Sequence, residues 1–242
     1  MRRWVQILGW TLVWSGLFGI GLTGWQVFGT DVVNERVQAA AGIQLEQSFK
    51  RTRTDPPKVE EVPVLEVGEV LVPEDPPESA PDVVEYYAGD QPEEDTEFAY
   101  LSIPSLDLEA VVFEGVTAET LRKGPGHMPW TPLPGQPGNA VISGHRTTYG
   151  RPFFNLDQLK PGDRIEIETA IGIHVYVVRD SFVVKPTDVW VTEDREGGWL
   201  TLTTCNPKFS ARERLIITAE LVEGPNAAYI SFLLEGQVRS VS

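Results

Sequence analysis

The sequence holds one cysteine and three histidines among 242 residues, and this scarcity sets the first limits on its chemistry. A chain whose only thiol is Cys205 cannot be stapled by an internal disulfide, so that thiol is inert packing, an intermolecular link or a reactive group. His127, His145 and His174 are too widely separated to give, with one cysteine, the ligand spacing of a zinc site, so neither a metal nor a cofactor is expected. Charge is missing from Trp4 to Thr30, a run longer than the roughly 20 apolar residues that span a bilayer. It predicts a transmembrane helix over 4–30 rather than a cleaved signal peptide, whose apolar region is only about 7–15 residues long. Arg2 and Arg3 precede the run while Asp31 and Glu35 follow it, which keeps residues 1–3 cytoplasmic and puts the rest of the chain outside.

Basic charge is also sparse, 20 Lys and Arg against 35 Asp and Glu, and a net charge of −15 argues against a nucleic-acid partner. The excess is local. Residues 51–97 hold 15 acidic and 3 basic side chains, so the remainder is nearly neutral and the acidity says little about a substrate. Val, Ala, Leu and Gln between Asp31 and Lys50 have spacings that fit a helix continuing out of the membrane. Beyond it, prolines and mutually repelling carboxylates, with breakers at Asp55-Pro56-Pro57 and Glu74-Asp75-Pro76-Pro77, predict an extended tether. The expected organisation is therefore an extracellular acidic, Pro-rich stalk over 31–97, a catalytic domain over 98–223 and a tail over 224–242.

From Phe98 the pattern becomes short apolar or alternating runs broken by Pro-Gly and Gly pairs, which predicts an all-β barrel or sandwich. Expected strands are 99–103, 108–113, 140–143, 164–168, 173–184, 199–204 and 214–221. Short helical pieces fit 117–123, capped by Thr117, and 152–159. In the tail, the apolar patch 229–234 follows the breaker Gly224-Pro225-Asn226 and fits a segment docked on the barrel.

Two side chains stand at strand ends, where β scaffolds present reactive groups. His145 closes the apolar run Asn139-Ala140-Val141-Ile142-Ser143 just after Gly144, and Cys205 closes Trp199-Leu200-Thr201-Leu202-Thr203-Thr204. Arg214 opens the following strand. If these last two strands are antiparallel neighbours, Cys205 and Arg214 face one another, and a permanent cation beside a thiol favours thiolate and can bind an oxyanion. Alternation around Ile173-His174-Val175 places His174 on the wetter face. His127, in the loop Gly124-Pro125-Gly126-His127, is either structural or lines a cleft. Asp188, Glu193, Asp194 and Glu196 read as a solvated face rather than a calcium site.

The string Thr201-Leu202-Thr203-Thr204-Cys205, followed by an arginine at the next strand start, resembles the TLxTC signature of sortases, and Gly138 to Arg146 resembles their histidine motif. The fuller strings His145 to Gly150 and Thr204 to Leu215 look most like the class E branch found in actinobacteria. The resemblance spans roughly Ala99 to Leu221. It implies a closed eight-stranded β-barrel in which His145, Cys205 and Arg214 are catalytic and Thr204, Met128 and Tyr149 contact substrate. It also implies a membrane-anchored transpeptidase that cleaves a C-terminal LAxTG- or LPxTG-like sorting signal of a secreted protein between Thr and Gly. An amine of a peptidoglycan precursor or a pilin lysine would then take the thioacyl group. Class E relatives usually have tyrosine where this chain has Met128 after Gly124-Pro125-Gly126-His127, so the signal preference is open on this reading.

Two other readings fit less well. Papain-like peptidases place cysteine before histidine, the reverse of the order here, and L,D-transpeptidases want glycine directly before the cysteine, where Thr204 stands. A non-catalytic peptide-binding barrel would have no need of a thiol, an imidazole and a guanidinium at strand ends.

Overall fold

The computed structural model describes residues 2–25, 29–54 and 91–240. The breakers expected between Asp55 and Pro77 lie outside the described residues. Eight strands form one closed barrel: β1 (Glu97–Ile103), β2 (Leu108–Glu114), β3 (Gly126–His127), β4 (Gly138–Ser143), β5 (Arg164–Thr169), β6 (Gly172–Val184), β7 (Gly198–Asn206) and β8 (Glu213–Glu223). Around the barrel they run β1-β2-β3-β4-β7-β8-β6-β5. The pairs β2–β3 and β4–β7 are parallel and all others are antiparallel.

Period-two patterning decides which side chains fill the barrel. Leu101 and Ile103 of β1, Ile142 of β4, Ile165 and Ile167 of β5, Leu200 and Leu202 of β7 and Ile217 of β8 form one core with Phe98, Phe153, Leu156 and Tyr176. The Tyr176 hydroxyl, sealed in this core, accepts the Gly135 N–H at 2.7 Å, and burial raises its pKa far above the usual phenol value. Thr117 caps α3 (Ala118–Lys123), its hydroxyl oxygen accepting the Thr120 N–H at 3.1 Å. The helix expected over 152–159 is reduced to a single 3-10 turn, Leu156–Gln158, because Phe153, Leu156 and Leu159 all turn into the barrel core.

The chain before the barrel departs further from expectation. Helix α1 runs Arg2–Gly24, residues 26–28 of the expected 4–30 span lie outside the described residues, and among the described residues no helix is long and apolar enough to cross a membrane. Five glycines between Gly9 and Gly24, with Gln6, Thr11, Ser15 and Thr23, dilute its apolar content. The helix expected between Asp31 and Lys50 is present as α2 (Thr30–Thr54), but it lies on the barrel rather than beginning a stalk that leads away from it. Its stripe Ala41, Leu45 and Phe49, one helical turn apart, packs with Val37 against Val111, Phe113 and Ala170. Because β3 is only two residues long, it leaves Val111 of β2 without a strand partner on that side. The Gln38 side-chain amide takes its place, accepting the Val111 N–H at 2.7 Å and donating to the Val111 carbonyl at 3.2 Å. At the other end, α4 (Ala227–Ser240) carries the apolar patch of the tail, with Ile230 buried against Gly198 and Leu221.

Candidate active site

The register of β7 against β8 pairs Cys205 directly with Arg214. Side chains directly opposite in such a pair share a sheet face with Cβ atoms about 4.5–5.5 Å apart. Leu200 and Leu202, like Leu215 and Ile217, point into the core, so alternation turns Cys205 and Arg214 outward. Both are half-buried, and Cys205 is a free thiol. Arg214 is braced by its own loop: Nη1 donates to the carbonyls of Ala211 at 3.1 Å and Glu213 at 2.9 Å. Its Nε and Nη2 donors remain available to an outside acceptor by this count.

His145 reaches the same end of the barrel by a different route. β4 and β7 are parallel, with Ser143 opposite Thr203, so the residues that follow each strand emerge side by side. The pairing continues past the strand: the Gly144 N–H donates to the Thr203 carbonyl at 3.1 Å, and the Thr204 hydroxyl donates to the Gly144 carbonyl at 2.7 Å. Gly144 is needed because a Cβ there would drive into the Phe153 ring, and the Phe153 N–H in turn holds the His145 carbonyl at 3.1 Å. The imidazole rests on Tyr149, ring centroids 5.0 Å apart, and the Arg122 guanidinium lies 5.7 Å from the Tyr149 ring centre. Burial, and then the Arg122 charge, pull the His145 pKa below the usual histidine value.

Arg146, one residue further on, was not singled out as a site residue from sequence. It is 4% exposed, and its Nη1 donates to the Cys205 carbonyl at 3.1 Å and to Asn206 Oδ1 at 2.7 Å. Its Nη2 pairs with Asp157 at 3.1 Å, and Asp157 also receives Lys208 at 3.2 Å. A buried guanidinium thus ties the backbone of Cys205 to the segment carrying His145. The available signal was its position directly after His145.

The other expected site residues fall into two groups. Thr204 is buried, its hydroxyl engaged with Gly144, and Tyr149 packs on His145. Met128 is carried the other way: the β3–β4 register runs antiparallel, and the Met128 N–H bonds the Val141 carbonyl, away from the His145 end of β4.

Neither remaining histidine joins the site. His127 is fully buried, with Nδ1 2.8 Å from Glu114 Oε2 and Nε2 3.0 Å from the Pro132 carbonyl. A carbonyl only accepts, so Nε2 carries a proton and the ring ties the 127–132 turn to β2. His174 is not on the wetter face as alternation suggested. It is fully buried, 3.0 Å from the Thr169 hydroxyl, while its neighbour Ile173 is 51% exposed. His174 alternates with Tyr176 and Val178, whose side chains fill the barrel core, and the Gly135 turn closes over the histidine ring. Burial lowers its pKa to about 4. Among the described residues no group of three or more His, Cys, Asp or Glu side chains is arranged to hold a metal ion. Asp188 and Asp194 of the acidic loop instead accept the backbone N–H groups of Lys185 and Arg195.

Comparison with known proteins agrees with this geometry. A family model described as the Sortase domain matches residues 101–222. Sortase SrtE1 of Streptomyces coelicolor is 34% identical over 142 residues, covering 52% of this chain and 40% of that protein. Sortase D of Bacillus subtilis is 33% identical over 118 residues, covering 48% of this chain and 58% of that protein. This chain therefore spans about half the length of these curated relatives. The solved structure of sortase E from Streptomyces avermitilis is similar with a TM-score of 0.51 and 36% identity, covering 56% of this chain and 95% of that one. Sortase E1 from Streptomyces coelicolor, solved with a tripeptide in its active site, gives a TM-score of 0.51 at 30% identity, covering 55% and 96%. With the family model covering half its length and the histidine, cysteine and arginine motifs brought to one end of the barrel, the chain belongs to the sortase family.

Proposed function

We propose that this chain is a cysteine transpeptidase that cleaves a C-terminal sorting signal between Thr and Gly and joins the new carboxyl end to an amine. The observation that carries the reading is the pairing of Cys205 with Arg214 across β7–β8, next to the end of β4 that delivers His145. Each step uses one of these groups. The Cys205 thiolate attacks the Thr carbonyl carbon, and the negative charge moves to its oxygen, where the free Arg214 donors are placed to hold it. The C–N bond then breaks as the His145 imidazolium gives its proton to the leaving glycine nitrogen, leaving a thioester on Cys205. An incoming amine attacks that thioester, loses its proton to the now neutral His145 and releases Cys205 as thiolate. The acceptor is an amine of a peptidoglycan precursor or a pilin lysine.

Thr204, Tyr149 and Met128 are the proposed substrate contacts. Thr204 and Tyr149 act from beside Cys205 and His145, whereas Met128 is set back along β4 and offers an apolar, flexible side chain where class E relatives usually have tyrosine. A membrane position through α1 is part of the same reading. Its support is the exposed apolar surface of Trp4, Leu8, Trp10, Leu12 and Phe18, with Arg2 and Arg3 at its start. Membrane fractionation, with protease protection of the N-terminus, separates a spanning helix from one lying on the surface.

The test is incubation of the full chain with fluorogenic LAxTG and LPxTG peptides and a glycine-based amine, against Cys205→Ala, with products resolved by mass spectrometry. Cysteine-dependent cleavage between Thr and Gly with amine-ligated product supports the reading and ranks the signals. Failure with these and with a broad peptide library refutes it.

A further inference from the structure

Helix α2 precedes the barrel in sequence, yet its first turn reaches the active-site end. Asp31 Oδ1 accepts the Gly150 N–H at 3.1 Å, and Asp31 Oδ2 pairs with Arg151 Nη2 at 2.8 Å. One turn on, the buried Asn34 donates from Nδ2 to the carbonyls of Arg122 and Lys123, both at 2.9 Å, where α3 ends. Gln38 adds a bond to the Lys123 carbonyl at 2.7 Å. The contact is tight: a Cβ at Gly150, where φ is +75°, would collide with the Asn34 side chain.

The two segments that α2 grips carry the two side chains flanking His145. Tyr149, beside Gly150, packs on the imidazole, and the guanidinium of Arg122, at the end of α3, lies 5.7 Å from the Tyr149 ring centre, near enough for its charge to act on His145. His145 itself stands beyond the end of β4, with ladder bonds only through Gly144 and the Phe153 N–H. Its ring orientation therefore depends on loops that the barrel alone does not fix.

We propose that the first turn of α2 is a positioning clamp for His145, with Asp31 and Asn34 holding the Tyr149–Arg151 loop and the end of α3 in the arrangement the imidazole needs. The proposal rests on the transpeptidase reading for its kinetic consequence but not for its geometry. Neither residue touches a reacting atom. Their contribution is to orient the proton donor, where small displacements are enough to lose about tenfold or more in rate.

The experiment uses the full chain in detergent, with ¹³C-labelled histidine, so that three ring signals report on His127, His145 and His174 separately. Asp31→Ala combined with Asn34→Ala loosens the clamp from α2, and Arg151→Gln loosens it from the loop side with the α2 turn intact. Both are expected to shift the His145 ring signal while those of His127 and His174 stay in place. Both should lower kcat about tenfold with KM and the rate of Cys205 alkylation by iodoacetamide changed less than about twofold. Asp31→Glu, which keeps the carboxylate, should restore most of the rate. An unmoved His145 signal, or equal losses in all three histidine signals and in Cys205 alkylation, overturns the clamp. A shifted His145 signal in a chain whose wild type ligates no peptide leaves the clamp standing and refutes the transpeptidase reading instead.

Discussion

The Thr204 hydroxyl donates to the Gly144 carbonyl at 2.7 Å, joining the residue before Cys205 to the residue before His145. The bond lies in the buried seam between two parallel strands, so the segments carrying Cys205 and His145 are held by one short side-chain link as well as by the ladder.

Thr204→Val keeps the shape but removes the donor and leaves the Gly144 carbonyl buried without it. The expected result is a loss of about 1–3 kcal/mol in stability, read from denaturant unfolding. A fall of about tenfold to a hundredfold in peptide ligation should accompany it as Cys205 and His145 drift apart. Thr204→Ser, which keeps the hydroxyl, should stay near wild type in both measurements.

Arg146→Gln removes the guanidinium that spans Cys205, Asn206 and Asp157. Hydrogen bonds to charged groups contribute about 1.5–3 kcal/mol, but Asp157 is largely exposed and its pair counts for less, so a destabilisation of about 2 kcal/mol is expected. Arg146→Lys, a point charge unable to fork between these acceptors, should recover little of the activity. Thermal unfolding and ligation rates check both.

The His145 titration has a defined direction. Its pKa lies below the ordinary value because burial and the Arg122 cation both disfavour the imidazolium. A step that needs the protonated ring should therefore lose rate as pH rises through a value below 6.5. Arg122→Ala removes a positive charge, so the His145 pKa and the falling limb of the rate profile should both move to higher pH. Histidine NMR titration and a pH series of kcat check the two shifts; movement to lower pH would contradict the assignment.

His174 predicts the acid limit of stability. Its folded pKa of about 4 lies below its unfolded value of 6.5, so the unfolded chain binds the extra proton between these values. The neutral ring's contribution is intact above pH 6.5 and is lost as pH falls towards 4, by about 3 kcal/mol in all. His174→Gln should flatten the fall of Tm between these limits, and an unchanged slope would show that other groups set it.

The meeting of Cys205 and Arg214 was legible because both sit on regular strands. Cys205 and Arg214 end and begin consecutive apolar runs, and antiparallel pairing of such runs leaves little choice about which residues meet. His174 was misread because local alternation with Ile173, Val175 and Val177 did not reveal that the face shared with Tyr176 and Val178 fills the barrel. Strand β3 escaped notice since two residues carry no period, and its shortness in turn leaves the place on β2 that Gln38 fills. The α2 contacts were illegible for a related reason: their partners, Gly150, Arg122 and Val111, are far away in sequence, and the polar side chains that make them look like ordinary helix surface.

The parallel pairing of β4 with β7 also separates two kinds of change that selection can make in this molecule. The chain between Gly144 and Gly197, which carries His145 and the barrel strands β5 and β6, connects these two paired strands. Insertions or deletions in its exposed turns, such as Lys185 to Thr187, leave unchanged the β4–β7 register that brings the ends of these strands side by side. A lineage of such chains can therefore vary its exposed turns while that register stays the same.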